Sequence, residues 1–230
     1  MTPALRQVVL LAAELEPALA TVRGALGLNP GVRDAEGMAK LGFEHEVLAI
    51  DDTFIEIVTP LSPDSSPGRL LGRRGEAGYM VVLQVPSLDD VVKRAATAGL
   101  APIMHTVYEG HPISQWHPRD LGTLAEIDEI AQDAPWHLCP ALSDTGSTAV
   151  ARDITGVVLE VPYPVAMARR WADVLDLSLD DGATTLRLGE RTIEFVAGDR
   201  GLTRVRLDAD GRTGFVACGV TFEPTSGSNA

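Results

Sequence analysis

The stretch YMVVLQVPSLDDVVKRAATAGL, Tyr79 to Leu100, decides the fold. It opens on a β-branched, strand-like run, YMVVLQV, and passes through Pro86 and Ser87 into SLDDVVKRAATAGL, whose apolar residues recur at helical spacing. Asp89 and Asp90 suit the first turn of that helix, where carboxylates meet the positive end of the dipole. The same sentence is written twice more. RQVVLLA (Arg6 to Ala12) leads into LEPALATVRGALGL (Leu15 to Leu28), and ITGVVLEV (Ile154 to Val161) leads into PVAMARRWADVLDL (Pro164 to Leu177).

After each helix come shorter strand-like runs that end on a stretch with a glutamate: TFIEIVTPL with Glu56, GTLAEIDEI with Glu126 and RTIEFVAG with Glu194. The copies repeat at about 70 residues, too long for a solenoid and suited to a duplicated small-domain unit. Each unit reads as β-α-β-β-β, so the expected fold class is α+β with three βαβββ modules. Turn-rich loops separate them. PLSPDSSPG (Pro60 to Gly68) lies between the first and second, and IAQDAPWHLCPALSDTGS (Ile130 to Ser147) between the second and third. The expected boundaries are a paired-module domain over 1–132, a linker over 133–149, a third module over 150–222 and a flexible tail over 223–230.

Composition bounds the function. The 230 residues carry 19 basic against 32 acidic side chains, a net charge of −13, and 45% are hydrophobic. That is enough apolar material for a packed core, and the charge repels phosphate backbones and anionic lipids, so neither nucleic acid nor membrane is an expected partner. Cys139 and Cys218 show no zinc or CxxC spacing, and the apolar run Val8 to Ala13 is too short for a secretory or spanning segment. The expected location is cytoplasmic. Gly68, Gly72, Gly75 and Gly78 do not follow a strand into a nucleotide-binding helix.

SPGRLLGRRGEAGYMVVLQVPSLDD and HPRDLGTLAEIDE resemble segments of the vicinal oxygen chelate superfamily, closest in motif to glyoxalase I and methylmalonyl-CoA epimerase. The resemblance covers residues 5 to 130; residues 150 to 222 match only the module pattern. It implies that the first two modules form an open, pocketed barrel holding one divalent metal. Carried over by position, the metal residues are Gln7, Glu56 and Glu126, with Met80 where the family usually supplies histidine. Amide and carboxylate oxygens suit Zn, Ni, Co, Mn or Mg, whereas a thioether is a soft ligand. Met80 therefore reads as a pocket-wall residue.

The resemblance also implies a proton-transfer glutamate on the second strand, at Glu44 or Glu46, with Glu126 as a further catalytic candidate. Period-two alternation puts Glu44 and Glu46 on one face and His45 on the other. Trp116, Tyr108, Phe54 and His105 are expected to contact substrate, with Tyr79 and Trp136 also near the barrel mouth. His117 reads as a turn residue in His-Pro-Arg-Asp, His111 as a loop residue that can face the pocket, and Glu194 as structural.

The reading is a glyoxalase-like small-molecule enzyme, a lyase or isomerase acting next to a carbonyl with or without a divalent metal. The competing reading is a metal-free small-molecule binding or sequestering protein on the same scaffold. A third module with no partner in its own chain would expose sheet edges, so a homodimer through residues 150–222 is expected, the alternative being that this module covers its own barrel.

Overall fold

The computed structural model describes residues 2–139, 141–142, 149–209 and 213–225. The chain runs β1 (Ala4–Leu11), α1 (Leu15–Leu26), α2 (Ala35–Lys40), β2 (Phe43–Ile50), β3 (Thr53–Pro60), α3 (Ser66–Arg74), β4 (Ala77–Val85) and α4 (Leu88–Thr97). It continues through β5 (Met104–Tyr108), β6 (His111–Trp116), α5 (Pro118–Leu121), β7 (Leu124–Glu129), β8 (Ala151–Val161) and α6 (Pro164–Leu175). The last strands are β9 (Thr185–Leu188), β10 (Arg191–Ala197), β11 (Gly201–Ala209), β12 (Phe215–Ala217) and β13 (Val220–Thr225). Two mixed sheets result, with orders β2-β3-β1-β4-β7-β6-β5 and β12-β13-β11-β8-β10-β9. The α+β class and the modular build follow from these orders.

One pairing rule recurs. The first strand of each module pairs in parallel with its last, which pairs antiparallel with the one before: β1 with β3 and β3 with β2, β4 with β7 and β7 with β6, β8 with β10 and β10 with β9. The second module alone has four full strands; in the first, the remaining strand is reduced to the bridge Val32↔Val47. Gly31 precedes that bridge because a Cβ there would lie 1.9 Å from the Val47 carbonyl oxygen.

The third module differs from expectation. It is β8-α6-β9-β10, and the chain then repeats the same strand pattern once more, with β11 parallel to β13 and β13 antiparallel to β12. In the sheet β8 lies between β10 and β11. Residues 223–225 belong to β13, and 226–230 lie outside the described residues, as do 140 and 143–148 of the expected linker.

One compact unit comprises Met1–Arg6, Met80–His137 and Gly156–Leu202, the other Gln7–Tyr79, Leu138–Thr155 and Thr203–Ala230. In the first unit α4 and α6 pack together: Trp171, fully buried, donates its indole N–H to the Leu121 carbonyl at 2.9 Å, and Arg94 donates to the Val174 carbonyl at 2.9 Å. In the second, α1 packs against β2, β3 and β12, and Ala13 N–H is met by the Glu76 carboxylate at 2.9 Å. Helix starts are capped as their sequences suggest. Ser87 accepts from Asp90 N–H ahead of α4, Ser65 from Gly68 N–H ahead of α3, and His117 from Arg119 N–H ahead of α5, which gives the turn reading of His117 a concrete form.

Candidate active site

Strand register sorts the candidates by face. In the first module Gln7 pairs with Phe54, Val9 with Glu56, Val47 with Glu56 and His45 with Val58, so Gln7, His45, Phe54 and Glu56 share one face. All four are buried. Glu56 sits between two donors: Gln7 Nε2 reaches its Oε2 at 2.8 Å, and His45 Nδ1 lies 2.6 Å from its Oε1. The other imidazole nitrogen, Nε2, faces the backbone N–H of Asp34 at 2.8 Å. A backbone N–H can only donate, so Nε2 holds a lone pair and the imidazole proton sits on Nδ1, pointing at Glu56. Both Glu56 oxygens and both His45 ring nitrogens are thus engaged. Burial, joined by the charge of Glu56, pushes the Tyr79 phenol up to about 12, which keeps it a neutral hydroxyl.

Glu44 and Glu46 lie on the opposite face, as alternation requires, but in unlike settings. Glu44 is exposed. Glu46 is buried and takes donors from Gly31 N–H at 2.8 Å and Arg33 Nε at 2.8 Å, with Arg23 3.5 Å away. A carboxylate so held fastens the loop before α2 to α1 and β2; it does not face Glu56.

In the second module the pairs Val82↔Glu126, Gln84↔Asp128, Gln115↔Glu126 and Ile113↔Asp128 put Glu126 and Asp128 on one face with Gln115. Met80 and Leu124 share it, as do His111 and Tyr108. Glu126 is half-buried and accepts from Gln115 Nε2 at 2.7 Å. Trp116 points to the other side, fully buried, with its indole N–H on Ser114 Oγ; it is a core residue by position. His105 shares that other face and is exposed.

Beside Glu126 lies a second carboxylate and imidazole, Asp128 and His137. Asp128 is 0% exposed, and its Oδ2 is 3.1 Å from His137 Nε2. Tyr108, His111 and Trp136 surround the imidazole at ring distances of 5.0, 5.7 and 5.1 Å. Gln84 ties down the chain that carries His137 by donating to the Ile130 and Ala131 carbonyls. Burial pushes the Asp128 carboxyl well above the usual carboxylate range, and burial pulls the His137 imidazole down against the opposing charges of Glu126 and Glu109. Burial thus disfavours the charged form of each partner; in the neutral pair Asp128 donates from Oδ2 to Nε2 and the imidazole proton sits on Nδ1. Two atoms of the pair, Asp128 Oδ1 and His137 Nδ1, are buried without a hydrogen-bond partner; the nearest charge to Nδ1 is Glu109 Oε2 at 3.6 Å.

The donors do not fit a divalent ion. Both Glu56 oxygens are taken by Gln7 and His45, Met80 offers a thioether, and among the described residues no three of His, Cys, Asp and Glu are grouped as ligands. Gln7 and Glu56 belong to one compact unit, Met80 and Glu126 to the other.

Three functional candidates escape the sequence reading: Asp128, Gln115 and His137. Period two from Glu126 reaches Asp128, and the hairpin pairing reaches Gln115. His137 sits in an aperiodic segment where no spacing rule gives a direction. Cys139 and Cys218 are not in disulfides, and burial together with Glu76 pushes the Cys218 thiol up to about 12. No helix among the described residues is long and apolar enough to cross a membrane.

No protein-family model and no curated protein matches the sequence. Solved structures do. The hypothetical protein BH1468 from Bacillus halodurans C-125 is 21% identical with a TM-score of 0.52, over 59% of this chain and 100% of that one. A variant of Streptomyces coelicolor methylmalonyl-CoA epimerase, in complex with 2-nitronate-propionyl-CoA, is 18% identical with a TM-score of 0.52, over 59% and 100%. A mutant of 4-hydroxymandelate synthase from Streptomyces coelicolor is 16% identical with a TM-score of 0.65, over 90% of this chain and 71% of that one.

Proposed function

We propose, for a chain that has the vicinal oxygen chelate fold, a small-molecule isomerase or lyase that moves a proton on the carbon next to a carbonyl without a resident metal. The observation that carries this reading is the pairing of two carboxyl groups in unlike settings on one face of β7. Glu126 is half-buried and hydrogen-bonded at one oxygen by Gln115, and Asp128 is fully buried and pushed toward its neutral form. Two acids on one face with unlike environments can divide the work of base and acid. Glu126 takes the α-proton. Tyr108 and Met80, on the same face, contact the substrate, and Phe54 lines the corresponding face of the first module. Glu46 and Glu44 serve as anchor and surface charge.

The epimerase neighbour's ligand is a CoA ester analogue, so methylmalonyl-CoA is the first probe to use. In D2O the full chain should exchange the α-proton of methylmalonyl-CoA, followed by loss of its proton NMR signal. Glu126→Gln should lower the rate by about a hundredfold, the usual scale for a positioned base. No exchange above the buffer rate would defeat the reading.

The competing binding-protein reading rests on the closed Gln7–Glu56–His45 chain and on Met80, which is only 7% exposed and makes an apolar wall. A rise in melting temperature with methylmalonyl-CoA but no exchange would favour it. For assembly, the place of β11 beside β8 supports a monomer rather than a dimer through residues 150–222; a dimer mass in light scattering would contradict this. A reducing cytoplasm suits the two thiols.

A further inference from the structure

His137, the partner of Asp128, has no role among the residues assigned above, and three features mark it. His137 is held in one orientation by Asp128 at Nε2 and by the rings of Tyr108, His111 and Trp136 around it. Its remaining nitrogen, Nδ1, is buried and makes no hydrogen bond, an arrangement that costs free energy unless something else repays it. Facing Nδ1 is a carboxylate oxygen, Glu109 Oε2 at 3.6 Å, carried by a tight β5–β6 turn in which Glu109 and Gly110 both have positive φ. The Glu109 side chain is 41% exposed and belongs to that turn rather than to a strand.

We infer that His137 Nδ1 is the hydrogen-bond donor to the substrate's carbonyl oxygen, that Asp128 positions it, and that Glu109 occupies the oxygen's place until substrate displaces it. The inference rests on the proton-transfer reading above and adds its electrophilic half. When Glu126 removes the α-proton, the C–H electron pair becomes the C=C bond of an enolate and the carbonyl π pair moves onto oxygen. The developing negative charge meets the Nδ1–H, fixed in place before the reaction and close to where Glu109 already holds a negative oxygen. Return of the proton from Glu126 to the carbon reverses every shift, so no co-reactant is consumed. A neutral imidazole suits this task, since it polarises oxygen without first giving up its proton.

The decisive experiment pairs a spectroscopic readout with a kinetic one on the full-length chain. Long-range proton–nitrogen spectra of the 15N-labelled protein should show His137 with its proton on Nδ1, and adding methylmalonyl-CoA should shift that nitrogen. His137→Phe keeps the ring within its aromatic neighbours and should slow α-proton exchange about a hundredfold with KM within about threefold. His137→Asn places an amide N–H near the Nδ1 position and should recover at least about tenfold of that loss. A proton on Nε2, or exchange by His137→Phe at the wild-type rate, overturns the inference and leaves the proton-transfer reading standing. Equal losses in both variants assign His137 a packing role only and overturn it as well. Failure of the wild type to exchange removes the reading and this inference with it.

Discussion

Two carboxylate–histidine pairs are built into corresponding halves of the seven-stranded sheet, and they are finished differently. In the first half Glu56 and His45 are 2.6 Å apart, and every remaining polar atom has a donor or acceptor from Gln7 or Asp34. In the second half Asp128 and His137 are 3.1 Å apart, and each keeps one buried atom without a partner. A closed network returns its desolvation cost as fixed structure; an open one bears a standing cost that folding alone does not repay. The difference separates a pair that holds the scaffold from a pair that faces the chemistry.

The largest effect that would break this contrast is on stability. Glu56→Ala strands the Gln7 amide and the His45 N–H together and should cost about 3 to 5 kcal/mol in urea unfolding. A loss below about 1 kcal/mol would mean the first pair is not the structural one.

Asp128→Asn should behave oppositely. An acid whose folded pKa is raised binds its proton more tightly in the folded state, so wild-type stability falls as pH rises above the ordinary carboxylate value of 3.8 toward the raised one. Asparagine cannot titrate, and the variant should gain on the wild type as pH climbs through that window. Parallel stability curves for the two proteins would contradict the burial of a neutral Asp128.

Tyr79 supplies a smaller test on the first pair. Its phenol, raised to about 12 by burial and by Glu56, should make stability decline between pH 10 and 12. Tyr79→Phe should flatten that decline, and Glu56→Gln should shrink it, as read by thermal melts in that window.

The modular α+β fold was legible because it is written in periodicity: the runs at Arg6, Tyr79 and Ile154 and the helices after them alternate at the two periods that backbone geometry imposes. The fourth set of strands, β11 to β13, was not, since without a helix its short runs carry half of the pattern. Within the site, alternation placed Glu44 and Glu46 on one face and His45 on the other, yet what covers Glu46 depends on Arg33 and Gly31 arriving from a loop and on Arg23 from α1. Alternation gives His45 a face but no role, although it is the residue that meets Glu56. Trp116 illustrates the converse: an aromatic in a hairpin reads as a ligand wall until register shows it on the side facing away from Glu126. His137 follows the last strand of its module, and only tertiary structure brings it to Asp128.

The most direct test of the account sets the two histidines against each other in the same assay. α-Proton exchange of methylmalonyl-CoA, measured per mole of folded protein at a temperature where each variant is native, should fall about a hundredfold for His137→Phe and stay within about threefold of wild type for His45→Gln, whose cost should appear in unfolding instead. The reverse pattern, with exchange lost in His45→Gln and kept in His137→Phe, would contradict the assignment of structure to the closed pair and chemistry to the open one.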